Sequence, residues 1–174
     1  KRNNFVTVLF TLISTANVGR MIFDKDVIKT VIGFTSEFVQ DRKLCEDVVK
    51  ILLVVLGSLR FHSQTERFFL EIGEFKLLTK ILSANSKSEA VCTNVLKLIS
   101  GLLSDRISLK VSQKDLVKIL IESGGVEAIN TALREQKESR TVVGLCMRLL
   151  RVLPPDEGKS ASLSFAIVIS FFSH

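Results

Sequence analysis

Residues able to carry acid–base, nucleophilic or metal chemistry are few in this chain and far apart. Histidine occurs only at His62 and His174, and neither is spaced from a candidate nucleophile or acid in a way that implies a catalytic pair. The three cysteines, Cys45, Cys92 and Cys146, each stand inside an apolar run, with no CxxC and no histidine at metal-ligand spacing. They read as small buried hydrophobes in a reducing compartment. Gly158-Lys159-Ser160 has the ending of a phosphate-binding loop. The full pattern, however, needs glycine where Leu153 stands and a preceding strand, and Pro154-Pro155 opposes the loop's shape. The carboxylate pairs Asp24/Asp26 and Asp156/Glu157 fall in loops, where caps and turns account for them. No catalytic centre, metal or cofactor is expected.

Cations are what remain. The net charge is +6, from 24 Lys and Arg against 18 Asp and Glu, and no basic run reaches five residues. That balance suits either a solvated helical surface or a basic groove for an acidic segment. Nucleic acid receives little support, because no basic cluster is interleaved with aromatics. No signal peptide is visible, so the expected location is intracellular, cytoplasmic or nuclear. The absence of an initiator Met before Lys1 suggests a piece of a longer chain.

The elements that position these residues are helical. Apolar residues make up 47% of the 174, strand-type alternation is scarce, and the only prolines are Pro154 and Pro155. Residues 2–15 place Phe5, Val8, Leu9, Leu12 and Ile13 on one helical stripe. Residues 20–23 make at most a turn, and helices are expected over 27–39 and 44–59. Residues 51–56 are apolar on every side, which predicts a helix buried between neighbours. The same order recurs twice: 64–71, 75–82 and 89–103, then 113–122, 126–133 and 140–153, where the prolines stop it.

Val27, Phe75 and Val126 superpose with periods of 48 and 51 residues, and Cys45 superposes on Cys92. Such a period with two or three helices per unit is the signature of helical arrays, whose units cover each other's apolar faces.

At one junction the repeat becomes specific. Residues 120–126, LIESGGV, followed by Glu127-Ala128-Ile129, resemble the first-to-second helix corner of armadillo repeats. Glu71-Ile72-Gly73-Glu74-Phe75 keeps one of the two glycines and Asp24-Lys25-Asp26-Val27 keeps neither, while Thr65-Glu66-Arg67 resembles the family's polar start of the first helix. HEAT repeats are the nearest rival, but their proline-kinked first helix is not visible. The resemblance implies an all-α, right-handed armadillo-like superhelix over residues 1–155. It would hold the last helix of one repeat and three repeats at about 19–62, 63–106 and 107–155.

The resemblance also implies a groove lined by third helices, in which a ladder of Asn, with Trp four residues earlier, holds an extended peptide. By position the Asn places fall at Val54, Gly101 and Arg151, and the Trp places at Lys50, Lys97 and Met147. None carries Asn or Trp. The face offers Lys50, Lys97, Arg148 and Arg151, a row able to meet an acidic or helical partner. The expected function is therefore a non-catalytic protein-interaction scaffold, with Lys50, Lys97, Met147, Arg148 and Arg151 as its candidate contacts. A purely structural segment of a longer solenoid is the alternative, with nucleic-acid binding behind it. Residues 156–174 form a linker and a charge-free apolar segment, too short to span a bilayer. That segment would begin a further repeat, cap the array or mediate self-association.

Overall fold

The computed structural model describes residues 25–59, 74–104 and 112–154. The helices expected at 2–15 and 64–71, the turn at 20–23 and the apolar segment at 161–172 lie outside these residues. Seven α-helices and no strand occur among the described residues. They are α1 (Lys25–Glu37), α2 (Arg42–Leu59), α3 (Glu74–Ala84), α4 (Glu89–Leu102), α5 (Gln113–Glu122), α6 (Gly125–Glu135) and α7 (Arg140–Leu150).

Helices two or three places apart in the chain pack against each other. α2 lies against α4 and α4 against α7, while α1 lies against α3 and α3 against α6. Each member of one row also touches a member of the other, through the pairs α1–α2, α3–α4 and α6–α7. The result is two layers of stacked helices, with α5 resting on α6 and α3. One apolar core runs through both layers, from Val31 and Ile32 on α1 to Leu149 and Leu150 on α7. α4, between α2 and α7, buries Val91, Cys92, Val95, Leu96, Leu98, Ile99 and Leu102. Only one narrow strip of that helix reaches solvent.

Three equivalent turns set the register of the layers. Asp41 N–H donates to Phe38 O (2.9 Å), Ser88 N–H to Asn85 O (2.8 Å) and Ser139 N–H to Gln136 O (2.9 Å). The side chains of the same three residues then cap α2, α4 and α7. Asp41 Oδ1 accepts from Leu44 N–H at 3.0 Å, Ser88 Oγ from Val91 N–H at 3.5 Å and Ser139 Oγ from Val142 N–H at 3.3 Å. A side-chain oxygen at this place satisfies a backbone donor that the first helical turn leaves open. The caps stand 47 and 51 residues apart.

The turns are also tied to each other. Asn85 Nδ2 donates to Val39 O at 2.8 Å, and Gln136 Nε2 donates to Ser86 O at 2.9 Å. Those two oxygens also accept from thiols, Cys45 Sγ at 3.4 Å and Cys92 Sγ at 3.4 Å. An amide 46 or 50 residues later and a thiol 6 residues later thus share one carbonyl, twice over. Ser139 Oγ adds a further link, donating to Glu89 Oε1 at 2.6 Å.

The α5–α6 corner depends on two glycines for different reasons. Gly124 has φ +78°, a left-handed conformation that side chains other than glycine's resist. Gly125 is buried against Leu120, and a Cβ there would meet the Leu120 backbone oxygen at 2.7 Å. Thr79 of α3 clamps this corner by donating to Ser123 O at 2.9 Å.

Most helix limits shift by one or two residues, and two expectations change further. The burial expected all round residues 51–56 fails at Val54, which is 51% exposed on the open strip of α2. The last helix ends at Leu150 rather than at residue 153. Pro154 has no N–H for the Leu150 carbonyl and disfavours helical backbone at Leu153, so the chain leaves the helix a turn earlier.

Candidate functional site

α2, α4 and α7 stack in one row against α1, α3 and α6, and α4, flanked by α2, α7 and α3, is open only along one strip. Counted from the caps Asp41, Ser88 and Ser139, the ninth residue of each strip is Lys50, Lys97 and Arg148. Four residues later stand Val54, Gly101 and, past the end of α7, Val152, which lines the groove along α5. Val54 and Val152, at 51% and 36%, are the exposed large hydrophobics among the described residues. The cap spacing of 51 residues gives a register one residue later than the one the resemblance implies. Arg148, not Met147, matches Lys50 and Lys97; Val152, not Arg151, matches Val54 and Gly101. Met147 is half-buried against the core and Arg151 is exposed beside the row.

The cations of the row are not electrically alike. Lys50 Nζ lies 2.6 Å from Glu46 Oε1, one helical turn back, and this hydrogen bond holds the Glu46 carboxyl below its usual range. Lys43 pairs with Asp47 at 3.0 Å, and that bond raises the lysine. The α2 part of the strip is therefore close to neutral. Among the described residues no ion pair involves Lys97, Arg148 or Arg151. Positive charge rises along the face from α2 to α7. Glu46 and Asp47 were readable as i, i+4 partners of Lys50 and Lys43, whereas the exposure of Val54 needed the packing.

The charged groups of this face are mainly cationic. Cys45, Cys92 and Cys146 are buried; burial pushes the first two thiols up to about 11 and Cys146 up to about 12. Thiols held in that range are unionised at neutral pH and unsuited to nucleophilic work. Among the described residues no group of His, Cys, Asp and Glu gathers as a metal site. His62 and His174 lie outside them.

Two open grooves flank the stack. One, of about 740 Å³, runs along α5 and the segment after α7, with Val117, Ile121, Val152, Leu153 and Pro154 among its walls. The other, of about 670 Å³, crosses α1, α3 and α6 past Thr79, Lys80 and Glu127, and no buried ionisable group points into it. No helix of the described residues is long and apolar enough to cross a membrane. Comparison with models of protein families, with curated proteins and with solved structures finds no match for this chain.

Proposed function

We propose that this chain is an armadillo-like interaction scaffold, a right-handed superhelix of stacked repeats whose α2–α4–α7 face holds an acidic segment of a protein partner. The observation that carries this reading is the column Lys50, Lys97 and Arg148, three cations at one place in three successive units. A surface set only by solubility has no reason to repeat a charge in register with the caps. The layered packing and the turns 47 and 51 residues apart support the repeat reading. The missing Asn and Trp move the grip from backbone hydrogen bonds to charge.

The spacing of the row suits an extended acidic partner. Packed helices lie about 8–10 Å apart, and an extended chain advances about 3.3 Å per residue. An extended partner crossing the face would therefore meet successive rows with acidic residues about three positions apart. Lys97, Arg148 and Arg151 would dominate, because Lys50 already has Glu46. Proximity labelling in cells tests the reading, comparing the natural sequence with Lys97→Glu and Arg148→Glu together. Loss of a labelled set rich in acidic segments supports it, and an unchanged set contradicts it.

A further inference from the structure

We infer that Lys97, Arg148 and Arg151 together hold a phosphoryl group, so that the segment taken by this face is a phosphorylated one. The inference deepens the charge-recognition reading above and rests on it.

α4 and α7 set two cations at one height. Ser139 Oγ, at the cap of α7, donates to Glu89 Oε1 in the first turn of α4 at 2.6 Å, so the two helices start side by side. They pack against each other from there. Lys97 follows Glu89 by eight residues and Arg148 follows Ser139 by nine. At about 1.5 Å per residue, both stand about 12–14 Å along their helices. Packed helix axes lie about 8–10 Å apart, a gap that the long side chains of Lys and Arg close from both sides. Arg151 continues α7 with helical backbone (φ −69°, ψ −22°), and at i, i+3 it is a surface neighbour of Arg148. All three cations are exposed.

α2 is built differently. There Glu46, five residues after the cap, lies 2.6 Å from Lys50 and neutralises it with one carboxylate. The residues at the same place on α4 and α7 are Thr93 and Gly144. α7 has no acidic residue, and the only one of α4, Glu89, already accepts from Ser139 in the first turn. Neither helix therefore offers Lys97, Arg148 or Arg151 a carboxylate within two turns. Gly144 is exposed, with nothing within 4 Å of the place a Cβ would take, which leaves the approach to Arg148 open from that side.

The unmet charge is concentrated at one place. A carboxylate brings a single negative charge and two oxygens. A phosphoserine or phosphothreonine brings about −1.5 to −2 at neutral pH and three acceptor oxygens. Three converging cations match the second, and a guanidinium takes two phosphoryl oxygens at once. Carboxylates spread along an extended segment deliver only one charge to each row.

Fluorescence anisotropy on the full chain at physiological salt tests the inference with three labelled peptides. Each carries glutamate at every third position, with the central glutamate kept, replaced by phosphoserine or replaced by serine. The phosphoserine peptide should bind at least about tenfold more tightly than the glutamate peptide. Arg151→Gln should bring that ratio down to about threefold or less. Arg140→Gln, at the opposite end of α7, should leave it unchanged. Equal affinity for the phosphoserine and glutamate peptides overturns the inference, and if both still bind more tightly than the serine peptide, charge recognition by this face stands. No binding of any of the three overturns both. A ratio that ignores Arg151→Gln also overturns the inference, as does tighter binding of a short single-stranded DNA than of the phosphoserine peptide.

Discussion

Asn85, in the turn between α3 and α4, donates its side-chain amide to the backbone oxygen of Val39, 46 residues earlier, at 2.8 Å. The same nitrogen donates to Ile81 O at 3.0 Å, and the side chain is buried. Asn85 thus closes its own helix and fastens the turn to the one before it. Asn85→Leu leaves these oxygens without the amide and should cost about 1–3 kcal/mol in urea unfolding. Gln136→Leu should cost less, because Gln136 is half-buried and water can replace its amide. Equal midpoints for Asn85→Leu and the natural protein would contradict the tie.

The caps allow a sharper test of coupling between units. Ser139→Ala should cost about 1 kcal/mol through the lost cap of α7. The link from Ser139 Oγ to Glu89 Oε1 adds a contribution across 50 residues. In a double-mutant cycle with Glu89→Ala, the two substitutions should be non-additive by about 0.5 kcal/mol or more. Additive effects would mean the units touch at this point without this bond contributing.

At the α5–α6 corner the two glycines should respond unequally to alanine. Gly124→Ala places a side chain at φ +78° and should cost about 1–2 kcal/mol. Gly125→Ala should cost more, since its Cβ would strike the side chain and backbone oxygen of Leu120 together. Gly144, exposed on α7 with nothing near its missing Cβ, is the control. Gly144→Ala should raise stability by about 0.5–1 kcal/mol.

The buried thiols make a pH prediction whose sign is definite. Their folded values, about 11 for Cys45 and Cys92 and about 12 for Cys146, lie above the ordinary 9.0. Above pH 9 the unfolded chain releases protons that the folded chain keeps, so stability falls with rising pH until about 11 to 12. Each thiol steepens that fall by up to about 1.4 kcal/mol per pH unit. Cys146→Ala should flatten the alkaline limb of a stability profile relative to the natural protein. Identical limbs would show that the thiol is not buried in solution.

The periodic part of this fold was legible before the structure. The limits of α5 agree with residues 113–122 because Ser112 caps it and the Gly124-Gly125 corner ends it. The offset from Phe75 to Val126 equals the cap offset from Ser88 to Ser139. Alignment by resemblance put the Trp and Asn places of the third stretch at Met147 and Arg151 and already counted Arg148 among the contacts. The cap at Ser139, 51 residues after Ser88, sets Arg148 level with Lys97. Val54 was hidden for another reason: hydrophobicity says how much of a helix can be buried, and only the neighbours decide which strip stays open. The cross-unit bonds of Asn85, Gln136 and Thr79 were not legible, since each joins positions more than forty residues apart.

Charge recognition by Lys97 and Arg148 is the central claim, and a titration of the full chain tests it most directly. The ligand is a labelled extended peptide with a glutamate at every third position, read by fluorescence anisotropy at low and at physiological salt. The natural protein should bind it, with affinity falling as salt rises. Lys97→Glu and Arg148→Glu together should weaken binding at least about tenfold, whereas Lys50→Glu alone should have a smaller effect. Binding that ignores both salt and the double charge reversal would contradict the account.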